Sequence, residues 1–160
     1  MKQLKSVFNL FCLATFALLL NGLQSLNAQK KSDNDMVLSV NQSFYTAFSN
    51  GDINQMDKVW SHNPYVSAIQ PISKDVIIGW QGVKDSFDGV FKNYTHINIM
   101  CVNPTVHIEG KVAWVLSNED FSAMQGDKTV KLTSAAINMF VKTSGKWLMV
   151  HHQATVPMAM

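Results

Sequence analysis

From Asp35 onward the apolar positions Met36, Val37, Val40, Phe44, Ala47 and Phe48 recur every three or four residues, the spacing of one helical face. Asn50-Gly51 ends that pattern, since glycine is the usual residue where a helix closes in a left-handed turn. Asp52 followed by Gln55 has capping-box spacing and opens a second helix, with Ile53, Met56, Val59 and Trp60 as its apolar stripe. His62-Asn63-Pro64 breaks that helix. Short strands are predicted over 65–69, closed by Pro71, and over 76–78. After a turn at 79–82, Val83, Phe87, Val90 and Phe91 return to helical spacing as far as Tyr94.

The remainder reads as strand, rich in β-branched and aromatic residues, over 96–102, 105–109, 111–123, 128–143 and 146–156. Gly110, Gly126 and Gly145 stand where tight hairpins require them. Helices first and an antiparallel meander afterwards predict an α+β layer, a curved sheet folded over three helices.

Ahead of this body, Met1 and Lys5 bound a segment with two lysines, residues 7–20 are apolar apart from Asn9 and Thr15, and residues 21–28 are polar and small. That is the three-part pattern of a secretory signal peptide, predicted to be cut after Ala28. The apolar run is shorter than the ~20 residues that span a bilayer, so a retained anchor is the weaker reading. Residues 29–34 are expected to be disordered after cleavage, with the domain running over 35–157 and the protein exported, periplasmic or extracellular. Cys12 lies inside the apolar run rather than just after it, which argues against lipidation. Cys101 is then left alone, expected as a buried strand thiol.

Composition sharpens this picture. The chain has 160 residues, 47% hydrophobic and 15% charged, which fits one compact domain and not a disordered chain. All 13 basic residues are lysine, and removal of Lys2 and Lys5 leaves 11 lysines against 11 acids. A neutral chain without arginine has no electrostatic footprint for nucleic acid.

Three motifs carry a resemblance: FYTAFSNGD at the end of the first helix, IIGWQGVKDSF leading into the third, and GKWLMVHHQATVP in the last strand. The order of elements and these segments resemble the SnoaL-like branch of the nuclear transport factor 2-like superfamily. The last segment is similar to a WxxVHHHxS ending, with Gln153 in place of a His and Thr155 in place of the Ser. Residues 103–110, NPTVHIEG, also resemble the association, or hub, domain of calcium/calmodulin-dependent kinase. The resemblance implies a cone-shaped α+β fold with a pocket between the helices and a mixed, mostly antiparallel sheet.

Hub-domain pocket arginines align with Asn118, Asn138 and Ala154. By that alignment the expected pocket-facing residues are Trp114, Leu116, Asn118 and Asp120 on one strand, Ser134, Ala136 and Asn138 on the next, and Val150, His152 and Ala154 on the last. Trp60 and Tyr65 are expected in the wall, and Trp147 as a packing residue. Such a lining suits a neutral, partly apolar small molecule better than an anion.

His151-His152 invites a metal reading, but adjacent strand residues point to opposite faces and cannot share one ion, so no metal site is assigned. For acid–base chemistry the candidate pair is His152 with Asp120. Glu119, by parity, is expected on the solvent face. The Asn-x-Ser/Thr matches at Asn41 and Asn93 fall in or beside helices and are read as chance.

Two functions remain. One is a ligand-binding or assembly module that dimerises through the outer face of its sheet. The other is a cofactor-free enzyme resembling SnoaL or ketosteroid isomerase, with Asp120 or His152 as base and Tyr65 or Asn138 as donor to a developing oxyanion. A weaker third is a partner domain whose interface is an exposed face bearing Val115 and Phe121.

Overall fold

The computed structural model describes residues 31–157. The proposed signal and the first residues after it lie outside that range, as do the last three. Three helices come first: α1 (Asp33–Ser49), α2 (Ile53–Val59) and, after two short strands β1 (Ser67–Ile69) and β2 (Ile77–Ile78), α3 (Trp80–Asn93). Four long strands follow, β3 (Thr95–Glu109), β4 (Val112–Gln125), β5 (Lys128–Thr143) and β6 (Lys146–Thr155). The described strands form one sheet in the order β2-β1-β6-β5-β4-β3, antiparallel except where β1 runs parallel to β6. No helix among the described residues is long and apolar enough to cross a membrane.

Local chemistry explains the helix ends. Gly51 adopts φ +60° after α1, and the Asp52 carboxylate caps α2 by accepting from the backbone N–H of Asn54 and Gln55 at 2.9 and 3.0 Å. The first helix starts earlier than its apolar spacing suggests, at Asp33, so residues 33 and 34 belong to its first turn. Asp33 accepts from Trp147 Nε1 at 3.2 Å and pairs with Lys142, which ties the helix start to the far end of the sheet.

The core lies between the helices and the concave face of the sheet. Val37, Phe44, Ala47 and Phe48 of α1 meet Met56, Val59, Val83 and Phe87 from the other helices and Val115, Phe140, Trp147 and Met149 from the sheet. Phe44 is the hub of the aromatic packing, edge-on to Tyr45, Phe48 and Phe87 at 5.1, 6.0 and 5.8 Å between centroids.

Two irregularities set which side chains face inward. Residues 96–102 and 105–109, expected as separate strands, form one strand with a register shift between Val102 and Thr105. Asn103 takes φ +53° there, and Pro104 is tolerated because β3 is a sheet edge. In β6, Phe140 pairs with Met149 and Met139 with His151, so Val150 is an extra residue. Met149 and Val150 are both buried, and parity resumes with His152 and Ala154 on the inner face.

Candidate functional site

The inner face of the sheet carries a chain of buried polar groups. Glu119, Ser134, Asn138 and His152 are all at most 3% exposed, and Asn41 and Tyr45, one turn apart on α1, point at them. Glu119 pairs across the sheet with Ser134, and Asn138 with His152.

Tyr45 donates its hydroxyl hydrogen to Glu119 Oε1 at 2.7 Å, and Ser134 Oγ donates to Glu119 Oε2 at 3.4 Å. Asn138 Nδ2 donates to the Tyr45 oxygen at 3.1 Å and to Asn41 Oδ1 at 2.8 Å. Asn138 Oδ1 then faces His152 Nδ1 at 2.7 Å. When Glu119 is ionised it can only accept, and the direction of every bond then follows from it. Tyr45 must donate to it, Asn138 must present its amide nitrogen to Tyr45, and His152 must donate from Nδ1. The hydrogen-bond chain thereby assigns the imidazole tautomer and leaves Nε2 with the lone pair.

Burial dominates the electrostatics. It pushes the Glu119 carboxyl up from 4.5 to about 7, with the Tyr45 and Ser134 hydrogen bonds pulling part of the way back. Burial, reinforced by His151, drives His152 down from 6.5 to about 3, so the ring is neutral at physiological pH. The Tyr45 phenol is raised by burial and by the adjacent Glu119. His152 is packed against the rings of Phe44 and Phe87 at 4.9 and 6.2 Å, which keeps water from its inner side.

Three of these groups reach a cavity of about 200 Å³ and form its floor. Glu119, Ser134 and His152 lie at its buried end, and Phe48, Val90, Tyr94, Ile99, Phe121, Val130 and Leu132 make apolar walls. Gln70, Pro71 and Ile72, in the loop after β1, line the outer end, where Ile72 is 83% exposed. Gln70 Nε2 is buried there without a hydrogen-bond partner.

A family model described as SnoaL-like domain matches residues 37–159. The chain belongs to the SnoaL-like family. No curated protein matches this SnoaL-like chain. Among solved structures it is similar to a proposed dehydratase of the NTF2-like family from Streptomyces avermitilis, with a TM-score of 0.73 and 22% identity over 79% of this chain and 97% of that one. It is also similar to the CaMKII hub of S. rosetta, with a TM-score of 0.66 and 19% identity over 80% and 99% of the two chains. A proposed aromatic ring hydroxylase from Novosphingobium aromaticivorans gives a TM-score of 0.70 at 17% identity over 81% and 94%. At these identities the likeness establishes the fold, three helices on a six-stranded mixed sheet, and leaves the chemistry to the site.

Within this SnoaL-like fold the expected site residues separate. His152 lines the cavity, Asn138 sits one hydrogen bond behind it, and Ala154 is buried on the same face outside the cavity wall. The β4 assignment is reversed. Ala113, Val115, Glu119 and Ala123 are the buried positions, so Trp114, Leu116, Asn118 and Asp120 face outward. Trp114 stacks on His107 at 5.4 Å, Leu116 is 42% exposed, Asn118 is exposed, and Asp120 accepts from Thr133 Oγ1 at 2.9 Å.

The Asp120–His152 dyad therefore does not form, and Glu119, expected in solvent, takes the buried position 3.9 Å from His152 Nδ1. Val115 and Phe121 likewise face inward, not toward a partner. Trp60 is buried against Trp80 and Phe87, away from the cavity, and Tyr65 is 58% exposed and hydrogen-bonded to Asn63.

His151 and His152 do point oppositely, His151 Nδ1 lying 2.8 Å from Ser67 Oγ. Trp147 is a buried packing residue, and Asn41 is 2% exposed, closed to glycosylation in the folded chain. Cys101 is half-buried, with its sulfur accepting from Asn41 Nδ2 at 3.5 Å. Sequence reasoning missed Asn41, Tyr45 and Glu119. Their one visible signal was polar residues recurring on the buried face of α1, at Asn41 and Tyr45.

Proposed function

We propose that the domain binds a small, neutral, largely apolar molecule in this cavity, oriented by a polar group that meets Glu119, Ser134 and His152. The supporting observation is the convergence of three buried polar side chains at the closed end of an otherwise apolar space. About 200 Å³ suits a molecule of one ring better than a drug-sized ligand. The test is a thermal-shift screen of neutral monocyclic phenols, ketones and alcohols, repeated on Leu132→Trp, which fills the cavity. Stabilisation lost in Leu132→Trp supports the reading, and stabilisation equal in both proteins sinks it.

A second reading, proton transfer, is favoured by the Glu119 carboxyl, raised to about 7 and thus able to give or take a proton near neutrality. Glu119 replaces Asp120 as the base, and His152, neutral and locked by Asn138, orients the substrate. Deuterium uptake from heavy water at the carbon next to a ketone that binds, abolished in Glu119→Gln, is the expected result. Equal uptake in both proteins removes Glu119 from that role.

We also propose that the protein is exported through residues 1–28 and dimerises through its outer sheet face. Met100 and Leu116 are exposed there, beside Trp114 and Met139, and the likeness to hub domains agrees with assembly. A mature N-terminus near residue 29 in the exported fraction, and a dimer by light scattering that Leu116→Lys dissociates, are the expected outcomes.

A further inference from the structure

The polar groups of the cavity have a direction. At the closed end they are acceptors. Ionised Glu119 can only accept, and His152, donating from Nδ1 to Asn138, offers the lone pair of Nε2. At the outer end the one buried polar atom without a partner among the cavity-lining residues is a donor, Gln70 Nε2.

Strand pairing places Gln70. Ala68 pairs with His152 across the parallel β1–β6 ladder, and Gln70, the first residue past the end of β1, lies two residues further along the chain, about 7 Å on. Its backbone is held independently of its side chain. Gln70 N–H donates to Ser73 Oγ at 3.2 Å, and Ser73 N–H donates to the Gln70 carbonyl at 2.9 Å. Nothing in that turn uses the amide group. A buried donor left unmet is unfavourable, and such groups in folded proteins find a partner.

We propose that Gln70 is a specificity-determining residue of the cavity, whose amide donates to a carbonyl or ether oxygen of the ligand. The ligand then has a definite polarity: a hydroxyl or other donor at the Glu119 and His152 end, an apolar body, and an acceptor oxygen about one ring's length away. This deepens the proposed binding function and rests on it.

A matched pair of probes separates the two. In 4-ethylphenol the ring carries a hydroxyl alone, and in 4-hydroxyacetophenone the same skeleton carries a carbonyl at the opposite end. Dissociation constants for both are measured by calorimetry on the full chain, on Gln70→Leu, which removes the donor, and on Gln70→Glu, which replaces it with an acceptor.

Wild type is expected to favour the acetophenone roughly five- to tenfold, the yield of one satisfied buried hydrogen bond. Gln70→Leu should abolish that preference while leaving ethylphenol affinity unchanged, and Gln70→Glu should reverse it. A preference that survives Gln70→Leu, or equal binding of the two probes by wild type, overturns the role of Gln70 and leaves the cavity reading standing. Failure of both probes to bind any of the three proteins, with thermal unfolding showing them folded, overturns both.

Discussion

Replacing Glu119 by Gln tests the buried floor through the pH dependence of folding. The folded carboxyl titrates at about 7 and the unfolded one near 4.5. Between those values the folded state keeps a proton that the unfolded chain has released, so stability falls as pH rises through the window. A displacement of that size corresponds to about 3 kcal/mol, fully lost above the folded value. His152 acts with the opposite sign. Its folded pKa of about 3 lies below the unfolded 6.5, so its contribution is lost as pH falls from 6.5 toward 3. The two slopes overlap between 4.5 and 6.5 and offset each other, which makes the wild-type curve alone uninformative there.

The difference between wild type and Glu119→Gln isolates the carboxyl. Glutamine is neutral at every pH, keeps an oxygen for the Tyr45 hydroxyl, and differs little in size. Urea unfolding followed by tryptophan fluorescence gives the stability of each protein. The variant should gain on wild type by about 2 to 3 kcal/mol between about pH 5 and about pH 8.5. A gap that stays constant across that range means that the carboxyl titrates alike in both states, and the account of a desolvated floor is then wrong.

Other perturbations follow from the same geometry. His152→Gln should remove the acid-side loss, moving the acid-unfolding midpoint to lower pH than in wild type by circular dichroism. Phe44→Ala removes the fully buried ring on which Tyr45, Phe48, Phe87 and His152 pack, and should cost about 3 to 5 kcal/mol in urea unfolding. Asp120→Asn, on the outer face, should leave the thermal shift from any cavity ligand unchanged.

The element order and the hairpins were readable because periodicity, caps and glycines are local signals. Asp52 and Gly51 announce the break between α1 and α2 by chemistry that needs no tertiary partner. The facing of β4 was not readable in the same way. Its outward row holds Trp114 and Leu116, its inward row Ala113 and Val115, and a strand apolar on both faces gives no alternation to choose between them. Glu119 was hidden for a related reason. A carboxylate is expected in water unless something distant compensates it, and its partner Tyr45 is 74 residues away on a helix. His152 was placed on the inner face by family alignment, which anticipated the outcome of the bulge at Val150 without showing it.

That extra residue in β6 gives the histidine tandem a new meaning. Were Val150 to take its turn in regular alternation instead of bulging, the strand's parity would flip beyond it, turning His152 outward and His151 toward the cavity. An imidazole would face inward in either case. Two consecutive histidines make the floor tolerant of a one-residue slip of β6 against β5, so the bulge can form or straighten without emptying the position its ring occupies.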